Sequence, residues 1–161
     1  MLASFHRGDP GPSHAEQAPD VVPADHLPDV EPWARFTDEW PDWDLRAVPE
    51  PDPGWQRFWF RHRGRLPDDD AVHQLGLAYL SDMTLLGVAH KRHRGDAAVQ
   101  MASLDHALWF LQPARVDEWL LYDQRSPAGG HGRGLTEGRL FDTSGRLVAY
   151  VVQQGLMRYL R

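Results

Sequence analysis

Residues 73–88 form the longest apolar run in the chain, and its spacing is helical. Val72, Leu75, Tyr79, Met83 and Leu86 recur on one face, and Leu77, Leu80 and Leu85 make most of the remaining circumference apolar. A helix that is apolar nearly all round is expected to be buried, wrapped by other elements. Pro67 followed by Asp68, Asp69 and Asp70 supplies a cap and negative charge for its first turn. The run is too short and too interrupted to span a membrane. Near its end stands one carboxylate, Asp82. A lone buried charge is costly, so Asp82 is expected to have partners or a purpose.

The 161 residues are enough for one domain with a sizeable core. A formal charge of −6 argues against general nucleic-acid binding. The chain has no cysteine, which excludes thiol catalysis, disulfides and thiolate metal sites. Residues 1–5 run straight into polar sequence and do not read as a secretory signal, so the cytoplasm is the expected location.

Prolines crowd the first third of the chain. Residues 7–41 read as an extended, largely unstructured linker that buries too little to become ordered. Trp33, Phe36, Trp40 and Trp43 are expected to pin its end against the domain that follows. That domain occupies residues 42–161. Residues 44–48 read as a short strand. Residues 55–63 alternate aromatic and basic residues, the period of a half-buried strand. The same alternation suits stacking of single-stranded nucleic acid, a reading that the acidic chain disfavours. After the helix comes a basic loop, with His90, Lys91, Arg92, His93 and Arg94. Residues 99–110 form a long strand. Strict alternation puts Ser103 and Asp105 on one face and His106 on the other. Another strand surrounds residues 119–122, residues 127–132 read as a glycine-rich loop, and residues 134–141 and 146–157 pair across the turn at 142–145. The expected class is α+β: two strands, a long buried helix, then four strands in meander.

Three polar residues stand where apolar ones would be the default: Asp82, Ser103 and Gln153. A carboxylate, a hydroxyl and an amide that converge can hold and activate a water molecule. Alternatively each is a satisfied polar group of the core. Asp105 and His106 suggest an acid–base pair, but neighbours on a strand face opposite ways. His90 and His93 lack a nearby third ligand for a metal, so no metal or redox cofactor is implied.

From Val72 onward the sequence resembles the second half of the type II acyl-CoA thioesterases, the double-hotdog enzymes. Residues 79–86, 100–110, 118–122, 133–141 and 151–158 carry the resemblance. Asp105-His106 with Trp109-Phe110, and Gln153 with Gly155, Met157 and Arg158, are its specific strings. It implies a hotdog fold, an antiparallel sheet curled around one long helix. It implies hydrolysis of fatty acyl-CoA by a water that Asp82, Ser103 and Gln153 activate. Ser103 stands where the family usually has Thr, and it loses the methyl that restricts the rotamer. Gln154 replaces a usual acidic neighbour of Gln153, and only one of the two can face the site. Arg133, with Lys91, Arg92 and Arg94, is a candidate for the phosphates of coenzyme A.

The resemblance also implies that residues 1–6 are a remnant of a preceding hotdog and that a first half is missing. Two other readings follow: a non-catalytic hotdog that binds acyl-CoA or assembles, and hydration of an enoyl-CoA. A hotdog without its sister leaves a sheet edge unpaired. A homodimer or higher homo-oligomer is therefore expected, with the long strands 99–110 side by side. Trp109, Phe110, Leu120 and the aromatic strand 55–60 would supply its exposed apolar surface.

Overall fold

A computed structural model describes residues 3–6, 8–28, 40–49, 52–93, 95 and 97–160. In chain order the elements are β1 (Trp43–Val48), β2 (Trp55–His62), α1 (Asp70–Met83), α2 (Gly87–Lys91), β3 (Val99–Phe110), β4 (Leu120–Gly130), β5 (Arg133–Asp142) and β6 (Leu147–Tyr159). The strands form one antiparallel sheet in the order β1-β2-β4-β5-β6-β3. This is the α+β hotdog architecture, with one correction. Only β4, β5 and β6 make a meander. β3 crosses over to the far edge and pairs with β6, so its other edge has no strand partner among the described residues.

α1 begins where the aspartates predict. Asp69 caps it by accepting a hydrogen bond from the Ala71 N–H at 2.9 Å. The helix stops at Met83, and Thr84–Leu86 turn the chain into α2. Its buried face is not the stripe that periodicity singled out. His73, Leu77, Leu80 and Ser81 are buried, whereas Leu75 is 70% and Tyr79 54% exposed. Leu77, Leu80 and Leu85 pack on Phe58, Phe60, Tyr122, Leu140 and Val151 from the inner face of the sheet. Trp40 and Trp43 close this core, as expected; Trp33 and Phe36 lie outside the described residues.

Polar rungs fix where α1 sits. The buried Tyr122 hydroxyl donates to the Ser81 carbonyl at 2.7 Å, and burial pushes its pKa upward. The Gln56 amide donates to Gln124, whose own amide donates to Thr84 Oγ1, both at 2.7 Å. At the other end, Asp117 accepts from the Leu66 N–H and from Arg115, and Arg115 also reaches Asp68 and the Leu66 carbonyl. This clamp ties the entry of α1 to the chain that leads into β4.

The outer face of the sheet holds a second apolar cluster of Val48, Trp59, Trp119, Leu121, Phe141 and Leu147. Residues 18–27 lie across it: Ala24 is buried in it, and Ala18, Val21 and Leu27 pack against it. The Trp59 indole donates to the Val22 carbonyl at 2.9 Å, and Arg46 donates to the Leu27 carbonyl. This segment holds one 3-10 turn, Ala24–His26, and is otherwise without helix or strand. It nevertheless buries apolar surface that its composition hid. The aromatic–basic alternation of β2 is also spent internally. Phe58 and Phe60 fill the core, Arg57 pairs with Asp123 at 2.8 Å, and the Arg61 guanidinium sits 4.4 Å from the Trp119 ring centroid. The strand therefore does not add to the exposed apolar surface, and neither does the buried Leu120.

β4 runs on through the expected glycine-rich loop. Pro127 falls where the β4–β5 register shifts between Arg125 and Ala128, so its missing N–H breaks no ladder bond. The hairpin turns at His131 and Gly132, both at positive φ. Among the described residues no helix is long and apolar enough to cross a membrane.

Burial pushes the Asp117 carboxyl up, but the Arg115 and Leu66 hydrogen bonds and the charges of Arg115 and Arg65 outweigh it and hold the pKa at about 2. A depressed folded-state value stabilises the fold above the unfolded value near ~4. That contribution is lost as pH falls toward 2. Urea unfolding midpoints are expected to drop steeply between pH 4 and 2. In Asp117→Asn the protein should be less stable at pH 7 and its pH dependence flatter across that window.

Candidate active site

Asp82, Ser103 and Gln153 meet at one point. Gln153 lies on β6, fully buried, and its amide Nε2 donates to Asp82 Oδ1 at 2.5 Å and to Ser103 Oγ at 2.8 Å. Both amide hydrogens are thus used, while Gln153 Oε1 is buried without a partner. Ser103 Oγ accepts from Gln153, so its own O–H is left to donate elsewhere. Asp82 is not buried as the sequence suggested: its side chain is 56% exposed. It stands with Leu75 and Tyr79 on the face of α1 that is left largely exposed among the described residues. Gln154 faces the opposite way, and its N–H donates to Asp105 Oδ1.

Local backbone features bring the three together. A Cβ on Gly155 would lie 2.1 Å from Leu86 Cδ1 and 2.9 Å from its Cγ, so the Leu86 side chain fills the space over β6 that any other residue would need. Gly134 likewise leaves room for α2, where a Cβ would meet Ala89 Cβ at 2.6 Å. On β3, Ser103 pairs with Gly155, Asp105 with Gln154 and His106 with Gln153, and the register shifts at Leu104. That extra residue is a β-bulge, and it overturns strict alternation. Ser103 and His106 share the inner face, because their partners Gly155 and Gln153 are two residues apart.

His106 is the residue that sequence reasoning discarded. Its Nε2 lies 2.9 Å from Ser81 Oγ and its Nδ1 lies 3.6 Å from Asp82 Oδ1. Burial pushes its pKa below the ordinary value, against the pull of the Asp82 and Asp105 carboxylates. Ser81, His106 and Asp82 stand in the order of a serine-hydrolase triad. Ser81 is fully buried, however, and its hydroxyl also donates to the Ala78 carbonyl at 2.9 Å, so no acyl carbon can reach it.

The remaining candidates lie apart. Arg133 opens β5, exposed, and alternation turns it away from the inner face that Gly134 and Thr136 occupy. Arg92 and His93 line an open groove of about 550 Å³ together with Trp55, Arg125 and Ser126. Arg92 is paired there with Asp52 at 2.8 Å. Lys91 ends α2, and Arg94 lies outside the described residues.

Residues 34–156 match a family model described as acyl-CoA thioesterase. Acyl-coenzyme A thioesterase 8 of Mus musculus is 43% identical over 105 residues, which cover 64% of this chain and 33% of that protein. The chain thus spans about a third of the length of such curated relatives. The structure of acyl-CoA thioesterase II TesB2 from Mycobacterium marinum superposes with a TM-score of 0.84 at 46% identity, covering 95% of this chain and 60% of that one. A hot dog fold protein of unknown function from Alicyclobacillus acidocaldarius, 20% identical, superposes with a TM-score of 0.72 over 96% of this chain and 60% of its own. This last likeness is one of fold alone.

Gln153→Glu places a buried carboxyl against Asp82. Its folded-state pKa would rise above the unfolded value, so the variant loses stability as pH rises. Thermal denaturation should show Gln153→Glu well below wild type at pH 8 and much closer to it at pH 5.

Proposed function

Because this chain belongs to the acyl-CoA thioesterase family, we propose that it hydrolyses fatty acyl-CoA to the fatty acid and coenzyme A at Asp82, Ser103 and Gln153. The observation that carries this reading is the Gln153 amide, which donates at once to the carboxylate and to the hydroxyl. Asp82 is the general base. Gln153 donates to Oδ1 and orients the carboxylate, whose remaining lone pairs can take a proton from water. Ser103 uses its remaining O–H to hold that water or the developing oxyanion. The water oxygen bonds to the thioester carbon, the C–S bond breaks, and sulfur leaves as the thiolate of coenzyme A. No metal or redox group is called for by these residues.

The exposed side of the site suggests what completes it. Leu75 and Tyr79 beside Asp82, and Leu104, Trp109 and Phe110 on β3, leave an apolar surface next to a strand edge that has no partner among the described residues. A second copy of the chain, with its β3 alongside this one, would cover that surface and wall the acyl chain off from water. Sedimentation at micromolar concentration should show a homodimer, and Trp109→Lys should shift it toward monomer. A wild-type monomer whose melting does not depend on concentration contradicts this arrangement.

A carboxylate beside an imidazole, as in Asp82 and His106, is also equipment for hydrating an enoyl-CoA. Release of free thiol from decanoyl-CoA supports hydrolysis. Loss of enoyl absorbance without thiol release supports hydration, and heat protection by decanoyl-CoA with neither reaction supports a binding module. For hydrolysis, Asp82→Asn is expected to lower kcat about 100- to 10,000-fold. Ser103→Thr should keep most of the activity and Ser103→Ala should lose most of it. An Asp82→Asn variant as fast as wild type rejects the assignment.

A further inference from the structure

We propose that His106 is the positioning residue of the Asp82 carboxylate and carries the proton that Asp82 removes from water. The inference rests on the hydrolytic reading above and adds a residue to it. It begins with hydrogen-bond bookkeeping. Ser81 has one hydroxyl hydrogen and two neighbours at 2.9 Å, the Ala78 carbonyl and His106 Nε2. A carbonyl can only accept, so both contacts are satisfied when Ser81 donates to Ala78 and His106 Nε2–H donates to Ser81. On this count the ring proton sits on Nε2. Nδ1 then carries a lone pair and faces Asp82 Oδ1 at 3.6 Å.

Two electron-rich atoms in that relation repel each other until a proton lies between them. The carboxylate and the imidazole therefore behave as one pair that holds zero or one proton. The resting, active form holds none. When water attacks, its O–H bond breaks and its proton passes to Asp82 and is shared with Nδ1. When the tetrahedral adduct collapses, the C–S bond breaks with its electron pair on sulfur, and the pair returns the proton to give the free thiol. The site ends as it began.

The surroundings favour this use. Asp82 on α1 and Asp105 on β3 are the charged groups that act on the imidazole, Ser81 on α1 anchors its far nitrogen, and the neutral Gln153 faces it from β6. Burial opposes the imidazolium, which keeps Nδ1 empty near neutral pH and ready to accept. Ser81 is not a nucleophile here but the peg that aims the ring.

Two variants separate this role from simple packing. In His106→Gln the amide reaches the Nε2 position and keeps the Ser81 contact. In His106→Asn it reaches the Nδ1 position beside Asp82 and gives up the Ser81 contact. Neither can take up a proton. Both should fold and lower kcat more than tenfold with little change in KM. In both, the acid limb of the kcat profile should move to lower pH by about one unit or more. A limb that stays in place overturns the proposal.

A second measurement needs no turnover. The His106 imidazole signal, identified by its loss in His106→Gln, is followed through a pH titration by NMR. In Asp82→Asn its midpoint should fall by about one pH unit, a roughly tenfold weaker hold on the proton. An unchanged midpoint overturns the pairing. If Asp82→Asn is inactive and the midpoint is unchanged, the His106 proposal fails and Asp82 remains the base. If Asp82→Asn is fully active, the hydrolytic reading itself fails.

Discussion

One buried amide holds the site together. Gln153 comes from the last strand, Ser103 from the edge strand and Asp82 from the central helix, and the two hydrogens of a single NH2 group tie all three. A typical hydrogen bond adds only about 1 kcal/mol net, but leaving a buried amide unsatisfied costs more. The amide therefore does less to stabilise the fold than to specify it: only one placement of α1 and β3 satisfies it. That placement is prepared by other rungs of the same kind, from Tyr122 to the Ser81 carbonyl and from Gln124 to Thr84. Polar contacts across the sheet and helix set the register, and the apolar core fills the space they define.

The two faces of the sheet divide the work. The inner face carries the helix and the site. The outer face carries Trp59, Trp119, Leu121 and Phe141, covered by residues 18–27, together with a lattice of arginines, carboxylates and indoles. β3 belongs fully to neither, with exposed residues along most of its length. The strand that presents Ser103 and His106 is thus the least covered in the sheet.

Much of this was legible in the sequence because it follows from period and composition. The helix and its aspartate cap, six strands near their observed places, the turn at 142–145 and the candidate trio were all readable. What was missed shares one cause: each depended on tertiary context. An all-apolar helix does not say which side its sheet will cover, so the stripe through Leu75 and Tyr79 looked buried. β3 crosses to the far edge because its partner is β6, and no local signal marks a non-local pairing. The bulge at Leu104 hid His106, since alternation counts residues and a bulge adds one without notice. Composition marked residues 7–41 as linker but could not show that Ala18, Val21, Ala24 and Leu27 would find an apolar face.

The family fixes the expected chemistry, and the geometry supplies a reason for each polar residue on the inner face near the end of α1. The most direct test is a crystal structure with an acyl-CoA analogue in which a methylene replaces the reactive carbonyl, so that it binds without being cleaved. The account predicts that this methylene lies within reach of Asp82 and Ser103, beside a water held by Asp82, with the acyl chain running along Leu75 and Tyr79. An analogue whose reactive position lies on the outer face of the sheet, away from Asp82, Ser103 and Gln153, would contradict it.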